Sequence, residues 1–216
     1  MTDGDATQEG PGPGSGGPGK APAPTARRRR DAAATREAIL ASAVEAFTRH
    51  GYAGVGVREI AARAGVTAML INRYFGSKEK LFEQAVDVAF APRTVVGGSG
   101  RTLARASAEA LVSRTAPDAD RLGPFLLMLR SVSDPRAAEI VRAGMERHVA
   151  RDLAERLGGP DARERADLLL SLIAGVWLMR SVVGTRALAE ADETRLARRV
   201  EAMFAALVDE DGSAGS

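Results

Sequence analysis

None of the 216 residues is a cysteine, which excludes disulfides and thiolate metal sites. Only two are histidines, His50 and His148, 98 positions apart and without partners at metal-ligand spacing. Aromatic residues are scarce, at 4%. No apolar run reaches ~18 residues, so no membrane span or membrane partner is expected. The N-terminus has no apolar signal core, so the expected compartment is the cytoplasm. Alternation of apolar with polar residues is rare, which argues against strands.

What remains is a helix-forming stock. Hydrophobic residues make up 45% of the chain, most of them Ala, Leu and Val. The expected fold is all-α. The net charge of +2 hides an uneven distribution. Residues 1–26 carry one Lys against three acids, 27–92 carry 11 Lys and Arg against 7 acids, and 93–216 balance at 18 each. A local basic excess is the electrostatic footprint of a nucleic-acid contact, although a solvated surface gives similar counts.

Residues 1–31 read as a disordered tail, rich in Gly and Pro and ending in four arginines at 27–30. That run is either a solvated charge cluster or an arm for phosphates or a minor groove. A first helix is expected over 32–50, with Ile39, Leu40, Ala43, Val44 and Phe47 as its apolar stripe. Gly51 stands where a left-handed cap is favoured, and His50 suits the last turn of the helix. Short helices follow at 57–64 and 68–74. Gly65 separates them and Thr67 stands as N-cap of the second. Ser77 caps a fourth helix, without the glutamate of a capping box. Pro92 and the Gly97–Gly100 cluster mark a domain boundary. Beyond it, helices are expected near 102–113, 124–132, 135–157, 161–184 and 192–208. Asp134-Pro135 forms an N-cap followed by a first-turn proline. Gly158-Gly159-Pro160 is a stop, and 211–216 a polar tail.

A helix of about eight residues is marginal in water by itself. Two such helices around a glycine turn make sense when a third supports them and one offers a face to a DNA groove. The second helix carries Thr67, Ala68, Met69, Asn72, Arg73 and Tyr74. Asn pairs with adenine and Arg with guanine, Met or Ala meets a thymine methyl, and Thr and Tyr reach phosphates. The competing reading is a corner inside an ordinary helical bundle, with Tyr74 and Phe75 as core.

The stretch TREAILASAVEAFTRHGYAGVGVREIAARAGVTAMLINRYFGSKEKLF resembles the N-terminal domain of the TetR (tetracycline-repressor) family of bacterial transcription regulators. Its landmarks are Thr35-Arg36, Ile39-Leu40, Ala46-Phe47, Gly51-Tyr52, Ile60-Ala61, Ala64-Gly65-Val66-Thr67 and Tyr74-Phe75-Gly76-Ser77-Lys78-Glu79. The resemblance implies a helix-turn-helix domain over 32–92, with the motif itself at 56–75. A helical ligand-binding and dimerisation domain would follow over 93–210. It also implies a repressor that binds an inverted-repeat operator in double-stranded DNA as a homodimer and is released by a small-molecule effector. Lys78, Arg58 and Thr35 join the DNA-facing set. Three departures stand out. Gly56 replaces a hydroxyl residue, and Met69 and Asn72 stand near the family's usual glycine and tyrosine.

Residues 168–183 are apolar nearly all round, so more than one side of that helix must be covered. In the family, two such C-terminal helices per subunit build a dimer bundle. An effector pocket implied by the resemblance would draw on Phe125, Met128, Leu129, Met145, Trp177 and Met179. Arg130 is open to an anionic effector or to a surface ion pair. No cofactor, metal site or catalytic set is expected. A helical-bundle enzyme and a protein-interaction adaptor are the alternatives.

Overall fold

The computed structural model describes residues 24–91, 101–116 and 123–209. Every regular element among them is helical. Helix α1 covers Pro24–His50, α2 Val57–Arg63, α3 Ala68–Phe75 and α4 Lys78–Phe90. Then come α5 (Arg101–Arg114), α6 (Gly123–Ser131), α7 (Pro135–Met145), α8 (Arg151–Leu157), α9 (Ala162–Trp177), α10 (Arg186–Ala189) and α11 (Glu193–Val208).

Helix α1 starts eight residues before the expected position. Pro24 can open a helix because its missing N–H has no partner in the first turn, and the Ala and Arg that follow are strong helix formers. The four arginines therefore belong to a helix rather than to a disordered tail. The turns up to Thr35 form one unit and Arg36–Ser216 another. The tails at 1–23 and 210–216 and the expected boundary at 92–100 lie outside the described residues.

The larger unit has two hydrophobic cores, and they are not divided at residue 92. The first joins Ile39, Phe47, Ile60, Ile71, Phe75, Leu81 and Phe82 to Leu127, Ala137 and Val141. The second gathers Leu103, Leu111, Phe125, Leu153, Leu169, Trp177, Val200 and Phe204. Helix α6 feeds both, because Phe125 and Leu127 lie two positions apart and point to opposite sides of a helix. Each of these large buried side chains contributes about 1.5–3 kcal/mol. Where α4 crosses α7, a Cβ on Gly144 would lie 2.3 Å from Val86 Cγ1, so only glycine lets the helices pass this closely.

The segment expected as one helix over 135–157 is continuous but contains a π-turn, Glu146–Ala150, between α7 and α8. That turn carries His148 Nε2 to 2.8 Å from Asp87 Oδ1 on α4, and Arg147 to 3.4 Å from the same carboxylate. A second π-turn, Leu178–Val182, follows α9. It holds Arg180, which is 3% exposed. The Arg180 guanidinium donates to the Val112 carbonyl at 2.6 Å, the Thr115 hydroxyl at 3.0 Å and the Leu188 carbonyl at 3.2 Å. Asp161 was expected to open α9; it adopts a left-handed backbone (φ 56°) and its side chain caps nothing.

Candidate nucleic-acid interface

The short helices α2 and α3 are held by turn chemistry and by α1. Gly65 takes φ +66°, which costs glycine nothing. The Gly65 N–H then donates to the Ala62 carbonyl at 3.2 Å and the Val66 N–H to the Ala61 carbonyl at 2.9 Å, which closes the C-terminus of α2. From α1, the Ser42 hydroxyl donates to the Ile60 carbonyl at 3.1 Å. Ile60 and Ala61 of α2 and Ile71 and Phe75 of α3 are buried. Those anchors fix which face of α3 remains outside.

That outer face carries Met69, Asn72 and Arg73, all exposed and adjacent at i, i+3 and i+4 spacing. Met69 is 80% exposed, an unusual position for a large apolar side chain. Thr67 occupies the N-cap position of α3 with extended backbone, but its hydroxyl caps no N–H. Thr67 is thus the N-cap of α3 as expected, through its backbone alone, and the hydroxyl stays available to another partner. Ala68 and Tyr74 are half-buried and pack against the first core. On α2, Arg58 is exposed, while Arg63 pairs with Glu59 at 3.3 Å. Thr35 belongs to the N-terminal unit, where its hydroxyl donates to the Asp31 carbonyl at 2.8 Å.

Ser77 caps α4 as expected, its hydroxyl accepting from the Lys80 N–H at 3.2 Å. Lys78 is the first residue of α4, and its ammonium sits 4.4 Å from the centroid of the Tyr52 ring. Burial holds the Lys78 ammonium below the ordinary lysine range. The Tyr52 phenol is pushed up by burial and, less strongly, by Glu79 and Asp134. Tyr52 was not among the expected site residues, and a single aromatic after a helix-ending glycine gives no signal of this role.

Arg130 forms no ion pair among the described residues. Its guanidinium donates to the Thr48 and Arg49 carbonyls, at 2.9 and 2.7 Å, and so closes the C-terminus of α1.

A family model described as "Bacterial regulatory proteins, tetR family" matches residues 39–85, a span that contains α2, α3 and most of α4. A second, "Tetracyclin repressor-like, C-terminal domain", matches residues 100–208. The chain belongs to the TetR family. An HTH-type transcriptional repressor of Streptomyces coelicolor is 41% identical over 58 residues, 27% of this chain and 30% of that protein. The HTH-type transcriptional regulatory protein RaaS of Mycobacterium tuberculosis is 53% identical over 53 residues, 24% of each chain. This chain thus matches only about a quarter to a third of the length of these curated relatives. The crystal structure of a transcriptional regulator from Rhodococcus sp. Rha1 matches with a TM-score of 0.56 at 25% identity, covering 80% of this chain and 95% of that one. Helix α3 lies inside the span matched by the tetR family model. The departures noted in the sequence fall at the start of α2 and on the outer face of α3: Gly56 opens α2 without a hydroxyl, and Met69 and Asn72 stand exposed on α3.

The C-terminal half holds a cleft of about 990 Å³ whose lining includes Met128, Val141, Met145, Ala154 and Leu170. Of the six residues expected at an effector pocket, Met128 and Met145 line this cleft. Phe125 and Trp177 instead form a buried aromatic pair, with ring centroids 5.2 Å apart. Leu129 packs against the second core, and Met179 is exposed on the surface. Met179 lies in the π-turn that follows Trp177.

Proposed function

We propose that the protein is a dimeric transcriptional repressor that binds an inverted-repeat operator through α3 and leaves it when a small molecule binds the C-terminal half. The observation that carries this reading is the outer face of α3. Met69, Asn72 and Arg73 are presented together by a helix whose other side is anchored in the core. No fold-stabilising role accounts for Met69, because exposing a large apolar side chain gains nothing from burial. Asn72 and Arg73 supply the hydrogen-bond chemistry for adenine and guanine, and Met69 an apolar surface for a thymine methyl. Thr67, Ala68, Tyr74, Lys78 and Arg58 complete the DNA-facing set of this unit, chiefly as phosphate contacts, and Thr35 of the N-terminal unit is a separate candidate.

The test is a binding series on an operator recovered by selection and on a scrambled duplex. Replacing Asn72 or Arg73 by Ala costs about 1–3 kcal/mol on the operator and relaxes one symmetric pair of positions. Lys78→Ala weakens both duplexes alike and flattens the salt dependence. No loss with Asn72→Ala and Arg73→Ala together would refute the role of α3.

The reading of the effector site moves to the Met128–Met145 cleft, with a mainly apolar molecule as the ligand class. Thioether side chains adapt to irregular apolar shapes, and the cleft volume suits a drug-sized molecule. For a ligand identified by screening, Met128→Ala and Met145→Ala reduce affinity. Unchanged affinity in both, with a loss in Phe125→Ala, would return the site to the aromatic cluster.

The dimer surface is assigned to α9, the π-turn after it and α11. Leu168, Met179, Val182, Val183 and Met203 are large apolar residues left exposed there.

A further inference from the structure

We infer that Tyr52 is a positioning residue for Lys78: its ring seats the ammonium that meets a DNA phosphate, and α6 holds that ring in place. The inference rests on the DNA-binding reading above and names a residue which that reading lacks. Lys78 occupies an unfavourable place for a structural lysine. A cation at a helix N-terminus opposes the macrodipole. The side chain is also partly withdrawn from water. Among the described residues, no carboxylate forms an ion pair with it. Its described partner is the face of the Tyr52 ring, at 4.4 Å. The choice of partner matters chemically. A carboxylate would neutralise the ammonium, whereas a ring attracts it through its quadrupole and leaves the charge available to an incoming phosphate. Seating the long side chain before DNA arrives also removes part of the ordering cost of binding.

The ring is itself immobilised from several sides. It stacks on Phe47 with centroids 6.1 Å apart and tilts against Phe82 at 4.9 Å. The Tyr52 N–H donates to the Ser131 hydroxyl, at the end of α6, at 3.1 Å. One residue earlier, Gly51 has φ +71°, and a Cβ there would lie 2.2 Å from the Arg130 carbonyl oxygen. The Arg130 side chain grips the last carbonyls of α1. Two successive residues of α6 therefore set where the Tyr52 backbone lies, and Tyr52 sets where the Lys78 charge lies. A displacement of the end of α6 is transmitted to a phosphate contact through these atoms, without any change in α3.

The experiment measures binding of the full chain to a random-sequence duplex of about three helical turns across a salt series. Tyr52 is kept, replaced by Phe, or replaced by a ring-fluorinated phenylalanine, which keeps size and packing but removes the negative ring face. Each is combined with Lys78 or with Lys78→Ala. Lys78→Ala lowers the slope of log affinity against log salt by about 0.9 for each phosphate that is no longer neutralised. Tyr52→Phe binds like the native protein. The fluorinated ring weakens binding about two- to fivefold per subunit when Lys78 is present, and not at all in Lys78→Ala. An equal loss in both backgrounds, no loss in either, or an unchanged slope in Lys78→Ala overturns the inference. Failure of the native chain to bind duplex at any salt is a different result and would remove the DNA-binding reading itself.

Discussion

At the scale of single residues, the joint between α1 and α6 depends on Gly51. Its left-handed backbone would cost an alanine about 1–2 kcal/mol before any contact is considered. The contact adds to this, since the neighbour is a backbone oxygen of α6 that cannot rotate away. Gly51→Ala therefore destabilises the fold by at least about 2 kcal/mol, measured by denaturant unfolding. A loss below ~0.5 kcal/mol would show that α6 does not press on this turn. Gly56 gives the contrast: its φ is −100° and a Cβ there meets nothing within 4 Å. Two glycines five positions apart look alike in the sequence and differ completely in what they permit. Arg130 teaches the same lesson. Its type suggested an anion or a surface ion pair, while its actual partners are the final carbonyls of a helix about 80 positions earlier.

At the scale of elements, the sequence carried most of the DNA-binding half. Gly65, Thr67 and Ser77 punctuate α2, α3 and α4, and the apolar residues between them fix which faces turn inward. The boundaries of α2 and α3 fall within one residue of those expected, as local chemistry allows. What lay beyond the sequence depends on contacts distant along the chain. The two π-turns follow no local periodicity, and each serves a long-range bond, His148 with Asp87 and Arg180 with Val112. The lining of the cleft depends on such distant contacts as well. Met128 and Met145 read as apolar helix positions, but only packing separates them from Phe125 and Trp177, which fill a core. On α9, the exposed Leu168 offers a prediction at this scale. Leu168→Glu changes an exposed side chain, so the chain stays folded and the dimer dissociates, halving the mass seen by light scattering. An unchanged mass across micromolar concentrations would place the interface elsewhere.

At the scale of the molecule, the two cores share α6, and the first core is completed by residues of the C-terminal half. Helices α2 and α3 therefore do not rest on an independent platform. Leu127, Ala137 and Val141 support the core that holds α3, and Gly144 admits Val86 of α4 at close range. Occupation of a cleft lined by Met128, Val141 and Met145 acts on residues in or against that core. A ligand that favours one arrangement of α6 and α7 shifts the DNA-binding equilibrium by its difference in affinity for the two arrangements. This is the physical basis for expecting effector release in a chain this small.

The central claim is that α3 reads duplex DNA as one half of a two-fold assembly. Selection of bound sequences from a random duplex library by the full-length protein, followed by sequencing, tests it most directly. The account predicts an inverted repeat with half-sites about one helical turn or slightly more apart, which loses information at one symmetric pair of positions when Asn72 or Arg73 is replaced by Ala. Enrichment of no motif, or of a motif unchanged by both replacements, would contradict it.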